Sequence, residues 1–316
     1  MTTCSLLVNK NIVRQCFRCM STMKKQSPAE YCLELVRKRD YENFLCTLLL
    51  PNNIKTAGFV IRAFNVEIAQ VEDQITIKHI GIMRLQFWKE MLNSIYDGVP
   101  SETPVALELH RILQKHKLSK RYFKRLIDAR LDKLEKSTFP DIQAVENYAE
   151  NAVSSIYYLL LEAHGIKNIK ADHAASHLGK AHGIVTLLRS IPYHAQKRVI
   201  VLPEDILMKY NVSSETVLRN IRSTALNDVI FEIASCAKQH VDEAISLNTL
   251  QESKSIFLPI ICIESYLEEL RRTDFDVFHP RLKILEMDRI DEIKKNFMFY
   301  KIYHFDVFNV LCVNEN

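Results

Sequence analysis

Two histidines that could bind a metal lie close together in the segment DHAASHLGKAHG. His173 and His177 are four residues apart, so they share one face of a helix, and Asp172 lies beside them. Two imidazoles at this spacing can bind one zinc ion. No glutamate adjoins His173 as in a metalloprotease helix, and no third ligand stands at a fixed spacing. The segment therefore fits polar helix residues with ordinary hydrogen bonds better than a zinc site.

Other catalytic motifs have no match in the sequence. It contains no Gly-rich phosphate loop and no G-x-S-x-G nucleophile elbow. Cys16 and Cys19 form a close pair, but no second pair completes a zinc site. We therefore expect the eight cysteines to be reduced thiols, and we expect no bound metal ion and no cofactor.

The elements that position these residues are predicted to be helices. The 316 residues include only six glycines and nine prolines, and the prolines fall between long segments with helical spacing of apolar residues. Ser27, Pro28 and Glu30 form a capping box that starts the first helix, and Gly98 and Gly165 end two later helices. The fold class is therefore all-α, with one domain over residues 28–290.

Several helix boundaries and one helix face follow from the same spacing. We predict an unbroken helix from Ser27 to Pro51 and another from about residue 53 to residue 72. A later helix is expected to end near Arg189, before a short β-like segment that closes at a Leu-Pro pair. The last long helix is predicted to hold four apolar residues in register, which are Phe231, Ala234, Ala237 and Val241.

The net charge of +4 does not indicate nucleic-acid binding. The first 29 residues contain five basic and no acidic residues, whereas the rest of the chain holds 37 basic and 38 acidic residues. An acid-free amino terminus rich in Ser, Thr, Cys and spaced Arg or Lys is typical of a mitochondrial presequence. We predict that residues 1–27 are a transit peptide, and the alternative is an ordinary disordered basic tail.

Membrane contact, where present, is predicted to be peripheral. The longest apolar run, FLCTLLL, is seven residues, whereas a helix needs about 20 to span a bilayer. Residues 107–136 hold ten basic and four acidic residues. We interpret them as a solvated helical face, with docking on anionic lipid or an acidic partner as the alternative. An aromatic-rich carboxyl-terminal tail covers residues 291–316.

Five segments of the chain, between Tyr31 and about Pro280, resemble the squalene/phytoene synthase family in order and spacing. They are YCLELVRKRDYENFLCTLLLP, FVIRAFNVEIAQVED, MRLQFWKEMLNSIYDGVPSETPVALEL, VENYAENAVSSIYYL and GIVTLLRSIPYHAQKRVIVLP. The resemblance implies an isoprenoid-synthase-like helical bundle around a central cavity. In this family two Asp-bearing helices face each other across the cavity, and their carboxylates hold the Mg²⁺ that binds and ionises a substrate diphosphate.

Comparison with the two aspartate motifs of the family implies that this site is degenerate. Ala69 and Asp73 take the positions of the first D-x-x-x-D motif, and Ser190 and His194 take those of the second, with Arg189 fixing the frame. Three of the four carboxylates are then absent. Mg²⁺ prefers carboxylate oxygens, and a neutral imidazole suits softer metals. The resemblance therefore predicts no prenyl-transfer activity.

The degenerate site has two alternative roles, a remaining binding site or a purely structural contact. Glu67 and Glu72 lie at other angles around the helix than Asp73, so we do not expect them to replace the missing carboxylates. Arg189 would be the anion contact of any remaining binding site. The alternative is that Arg189 pairs with a nearby acid while the other side chains pack or face solvent.

One branch of the family keeps the helical frame, lacks the aspartates and carries a mitochondrial presequence. The chain resembles that branch at RAFNVEIAQ, ADHAASHLGKA, GIVTLLRSIPYH and DFDVFHP. The resemblance implies a non-enzymatic assembly factor for respiratory complex I, attached peripherally to the matrix side of the inner membrane. Its partners would be complex I subunits or other assembly factors. The alternatives are a prenyl-diphosphate transferase that uses Asp73, or a cavity that binds an isoprenoid or other lipid without turnover.

Overall fold

The chain is described by a computed structural model that covers residues 26–136, 138–247 and 253–282. Along these residues it forms thirteen α-helices and one π-helical turn, with no strand, so the all-α prediction is confirmed. Residues 1–25 of the predicted transit peptide and the whole predicted tail lie outside the described residues. The helices are α1 Pro28–Arg39, α2 Tyr41–Leu48, α3 Asn52–Asp73, α4 Lys78–Tyr96, α5 Pro104–Leu113, α6 Lys120–Lys136, α7 Ile142–Ala149, α8 Ser155–His164, α9 Ile169–Gln196, α10 Glu204–Lys209, α11 Ser214–Leu218, α12 Thr224–Ser246 and α13 Pro259–Arg272, with the π turn Glu150–Ser154 between α7 and α8.

The amino-terminal helix begins at the predicted capping box. The Ser27 Oγ accepts from the Glu30 N–H at 3.2 Å, and the Glu30 carboxylate accepts from the Ser27 N–H at 2.9 Å. The predicted continuous helix up to Pro51 is wrong, because α1 ends at Arg39 and α2 starts at Tyr41, with Asp40 as the residue between them. The Asp40 carboxylate accepts a hydrogen bond from the Asn43 side chain at 2.8 Å, a local bond that competes with the helical backbone pattern.

Helix α9 runs through the middle of the bundle and packs against α7, α8, α12, α13 and the π turn. Glycines let its backbone approach the π turn closely. A Cβ atom on Gly179 would lie 2.5 Å from the Cα of Ser154, so no larger residue fits there without moving the backbone. The predicted end near Arg189 and the β-like segment are wrong, since α9 continues through Pro192 to Gln196. Pro192 lies within the last turns of the helix, where the loss of its N–H removes one backbone hydrogen bond.

Helix α12 buries a face of apolar residues against α9, but the predicted register is wrong at one position. Ala234, Ala237 and Val241 are buried as expected, whereas Phe231 is exposed and packs edge-on against Phe275, with 5.0 Å between ring centroids. Ile230 takes the buried place instead. Among the described residues no helix has the length and apolar character that crossing a bilayer requires.

Candidate functional site

A cavity of about 860 Å³ lies between α2, α3, α6, the π turn and α9. Its volume falls within the range of ligand pockets, roughly 300–1,000 Å³. All five predicted site positions contribute to its lining: Ala69 and Asp73 from α3, and Arg189, Ser190 and His194 from α9. The fold therefore brings together residues that are more than a hundred positions apart in the sequence.

Asp73 is held by two side chains that reach across from α9 and the residue that follows it. The Tyr193 hydroxyl donates to Asp73 Oδ1 at 2.7 Å, and the Lys197 ammonium lies 3.1 Å from the same oxygen. Burial tends to raise the pKa of Asp73, but these hydrogen bonds and the charge of Lys197 outweigh it and lower the pKa overall. The carboxylate is therefore ionised and neutralised by a protein cation.

Arg189 pairs with an acid, which was one of the two alternatives for this residue. Its guanidinium donates to both oxygens of Glu42 on α2, at 2.7 Å and 3.1 Å. The side chains are only 26% and 18% exposed, and a bidentate pair of this kind has a fixed geometry. Arg189 therefore ties α2 to α9 at the wall of the cavity.

Ser190 and His194 are engaged with the backbone of α9. The Ser190 hydroxyl donates to the Leu187 carbonyl at 2.7 Å, and His194 Nδ1 lies 3.0 Å from the Ser190 carbonyl oxygen. Because that oxygen can only accept, Nδ1 carries the proton. Burial lowers the pKa of His194, and the nearby charge of Lys133 lowers it further, so the imidazole is neutral near pH 7.

Sequence reasoning missed several polar residues of the lining on α3 and α6, among them Asn65, Arg130 and Lys133. Arg130 donates to the Asn65 side-chain oxygen at 2.6 Å and to the Leu126 carbonyl at 2.7 Å. Lys133 lies 3.0 Å from a carboxylate oxygen of Glu72. Asn65 stands one helical turn before Ala69, and this spacing could have revealed it.

Some residues of the basic run line the cavity and others face solvent, and of Glu67 and Glu72 only Glu72 is a lining residue of the cavity. The run at residues 107–136 is in part a solvated face, but Arg130 and Lys133 line the cavity. Glu72 also lines it, despite its expected angle on α3, and is neutralised by Lys133. Glu67 accepts a hydrogen bond from the Tyr31 hydroxyl at 2.7 Å.

The cavity lining includes a buried cation, Arg62, whose Nε atom has no hydrogen bond to the described residues. Arg62 is 3% exposed, and its Nε has no partner among the described residues. Burial raises the pKa of the Asp40 carboxyl, while the charge of Arg62 partly offsets this effect. Burial also lowers the pKa of His182 to about 4, with the charge of Arg62 adding to it, and His182 Nδ1 lies 2.8 Å from the Tyr157 hydroxyl.

The charges of the whole lining favour an anion over a divalent cation. Of the described residues, six basic side chains contribute to it, against four acidic ones. The basic residues are Lys38, Arg39, Arg62, Arg130, Lys133 and Arg189, and the acidic residues are Asp40, Glu42, Glu72 and Asp73. Mg²⁺ binds through the oxygen atoms of carboxylates, phosphates and water, and a nearby excess of positive charge disfavours it.

The histidine pair of the first candidate site is not joined in the structure. His173 is exposed, whereas His177 turns toward α12, where its Nδ1 lies 2.9 Å from His240 Nδ1. The contact links residues 63 positions apart, so spacing along one helix could not have revealed it. It belongs to a cluster outside the cavity lining.

The helical bundle and its cavity define the class of protein. The chain belongs to the squalene/phytoene synthase family, whose model matches residues 36–288. A dehydrosqualene synthase solved in complex with a ligand has a similar fold, with a TM-score of 0.72 and 16% sequence identity over 87% of this chain and 97% of that chain. At this identity the likeness concerns the fold alone, and the expected isoprenoid-synthase-like bundle is confirmed.

Within this family the chain is similar to proteins named NADH dehydrogenase (ubiquinone) complex I, assembly factor 6. The relative from Homo sapiens is 48% identical over 255 residues, which cover 80% of this chain and 77% of the relative. The relative from Bos taurus is 47% identical over 255 residues, with the same coverage. The resemblance to one branch of the family is therefore confirmed.

Proposed function

We propose that this protein is a non-enzymatic assembly factor for mitochondrial respiratory complex I, a pseudoenzyme that has lost the Mg²⁺-binding aspartates of its family. The observation that carries the proposal is that Asp73, the one carboxylate left at the four motif positions, is bound by other side chains of the protein. It is neutralised by Lys197 and hydrogen-bonded by Tyr193, and these two bonds join α3 to the end of α9 directly. A protein ammonium thus takes the place where metal ions would link the two helices.

The electrostatics of the cavity support the absence of prenyl-transfer chemistry. Ionising a prenyl diphosphate requires bound metal ions that neutralise the leaving group. Four carboxylates of the described part of the chain line the cavity, of which Glu42, Glu72 and Asp73 are in ion pairs with basic residues. Burial raises the pKa of the fourth, Asp40, so that its charged form is disfavoured. A Mg²⁺ ion that bound Glu42, Glu72 or Asp73 would have to displace a protein cation.

The role in assembly is supported by the names of the relatives and by an apolar surface on α4 that the described residues leave exposed. Ile77, just before α4, and Ile80, Met83 and Phe87 on it form a stripe along one side and are 42–58% exposed. Exposed apolar residues that recur on one helix face are typical of a contact surface. We propose that complex I subunits or other assembly factors bind this α4 stripe, and that the protein is peripheral to the inner membrane on its matrix side.

Depletion of the protein tests this function. We expect cells without it to lose complex I on native gels and to recover it with the wild-type chain. The variant Met83→Glu/Phe87→Glu should accumulate but restore little complex I, because charges disrupt the stripe. Met208→Glu is the matched control, since Met208 is an exposed apolar residue on α10. Full rescue by the stripe variant would rule out this surface, and unchanged complex I after depletion would rule out the role.

The absence of catalysis has a separate test. We expect the purified full chain to release no diphosphate from an allylic prenyl diphosphate in the presence of Mg²⁺, compared with the heat-denatured protein. Release that depends on both Mg²⁺ and Asp73 would establish a transferase and would overturn the pseudoenzyme proposal.

A second candidate function, binding of an isoprenoid or lipid anion without turnover, is favoured by Arg62. Its buried Nε has no partner among the described residues, and Arg130 contacts an amide oxygen and a backbone carbonyl. An anionic headgroup would accept a hydrogen bond from the Arg62 Nε atom and lie beside the charge of Arg130, since a buried polar atom without a hydrogen bond is costly. Mass spectrometry of the purified protein should find a bound lipid that Arg62→Met loses, whereas a lipid-free wild type would remove this candidate.

A further inference from the structure

A cluster of metal-binding side chains from three helices lies outside the cavity. Oε1 of Glu146, on α7, is 3.0 Å from His240 Nε2 and 3.2 Å from the Cys236 sulfur, and both partners belong to α12. His177 of α9 completes the cluster through its contact with the other ring nitrogen of His240. None of the four residues is among those that line the cavity. The cluster therefore belongs to a different part of the molecule from the family site.

The side chains of the cluster meet because α9 packs against α12. Cys236 and His240 are four residues apart on α12, so they share a face beside the buried Ala237. His177 adjoins the buried Leu178 on the facing side of α9. Because apolar neighbours hold the helices together, the polar side chains meet at the edge of the core. His240 and Glu146 are only 13% and 17% exposed, so the site is shielded but open to solvent.

The donor atoms lie close to the separations that a tetrahedral ion requires. The Cys236 sulfur, one Glu146 oxygen and one His240 nitrogen all lie within 4.8 Å of one another. Zinc bonds of about 2.0–2.3 Å place tetrahedral ligands roughly 3.3–3.8 Å apart. Small rotations of the three side chains would therefore make room for the ion.

We propose that Glu146, Cys236 and His240 bind one zinc ion, with water as the fourth ligand. A thiolate, an imidazole and a carboxylate suit zinc, whereas Mg²⁺ and Ca²⁺ prefer oxygen ligands alone. Binding replaces the hydrogen bond from the Cys236 thiol to Glu146 and releases the thiol proton to solvent. No electron transfer is involved.

His177 is the positioning residue of this site. Without the ion, His240 donates from Nε2 to Glu146, so its Nδ1 accepts from His177. With zinc on Nε2, the His240 proton resides on Nδ1 and is donated back to His177 Nδ1. Both imidazoles then change tautomer while their hydrogen bond remains. A neighbour of this kind fixes the ring orientation of a zinc-bound histidine, and its loss typically lowers metal affinity by about 10–100-fold.

Cobalt and zinc titrations of the full chain test the site. All proteins carry Cys16→Ser and Cys19→Ser, because this close pair in the sequence could bind metal on its own. One equivalent of Co²⁺ should produce a thiolate charge-transfer band, and Zn²⁺ should displace it. Cys236→Ser should abolish the band, and His177→Gln should weaken binding by about 10–100-fold. His173→Gln is the matched control, since His173 is exposed on the same helix, and its affinity should be unchanged.

An independent measurement covers the case in which a variant fails to fold. Cys236 is the one free cysteine among the described residues that is not buried, so of these four cysteines it should be alkylated first in the protein that keeps Cys236, and zinc should protect it. Failure of the folded protein to bind zinc would show that the cluster is a hydrogen-bonded ion pair and would overturn the proposal. An unchanged band in Cys236→Ser/His240→Gln, or its loss in His173→Gln, would place the ion elsewhere and do the same.

Discussion

The ion pair between Glu42 and Arg189 offers a direct test of how the cavity wall is held. It joins residues 147 positions apart through bonds of 2.7 Å and 3.1 Å, and about a fifth of each side chain is exposed. Breaking a buried pair by removing one partner costs about 3–5 kcal/mol, and exposed pairs contribute roughly 0–1 kcal/mol. We expect Glu42→Gln and Arg189→Met to cost about 2–3 kcal/mol each. Their coupling energy should be about 2 kcal/mol.

A double-mutant cycle measured by denaturant unfolding gives this coupling energy. The double variant leaves neither charge alone in the wall, so it should be less destabilised than the sum of the two single variants. The cycle also cancels the other contacts of each residue. The bridge between Lys209 and Glu232 is the control, because it is more exposed and should couple by less than about 1 kcal/mol. A coupling below about 0.5 kcal/mol for Glu42 and Arg189 would refute a structural role for this pair.

Three further predictions concern packing, pH and the neutralised carboxylate. Gly179→Ala should lower the free energy of unfolding by about 1–3 kcal/mol in denaturant titrations, because its Cβ would meet the backbone of Ser154. Gly81→Ala should cost little, since its neighbours are flexible side-chain ends. The pKa of His182 lies at about 4, below its ordinary 6.5, so stability is complete above pH 6.5 and decreases as the pH falls toward 4. The decrease is about 3 kcal/mol at roughly 1.4 kcal/mol per pH unit, and His182→Gln should flatten it in denaturant midpoints measured against pH. Asp73→Ala should change the melting temperature little, because its ion pair with a lysine is largely exposed and contributes below about 1 kcal/mol.

Local signals in the sequence were sufficient for much of the helical framework. The capping box at Ser27 and the glycine after α8 are read within a few residues of the chain, and both are confirmed. The break at Asp40 was missed because it depends on the non-helical backbone of this residue and on the local hydrogen bond of its side chain with Asn43. The end of α9 was misplaced because Pro192 is tolerated inside a helix that packing stabilises. Phe231 was misassigned because it is an exposed residue of α12 that packs against Phe275, a residue beyond the end of α13.

The sites depend on contacts between distant segments, which spacing cannot supply. Lys197 reaches Asp73 over 124 positions, and His240 reaches Glu146 over 94. The positions of the candidate cavity could be predicted from the family resemblance, but the partners that occupy them could not. Arg130 shows the same limit: the basic run of α6 is visible in the sequence, but which of its members turn inward is decided by the packing of α6 beside the π turn.

The content of complex I in cells that lack this protein tests the central proposal most directly. The null cells are supplied with equal amounts of the wild-type chain or Asp73→Ala, and complex I is measured on native gels. We predict low complex I in the null cells and equal rescue by both chains, because the fold acts without metal chemistry. Normal complex I in the null cells would contradict the assembly role. Failure of an accumulating, folded Asp73→Ala would contradict the pseudoenzyme proposal and indicate ligand binding or catalysis at this site.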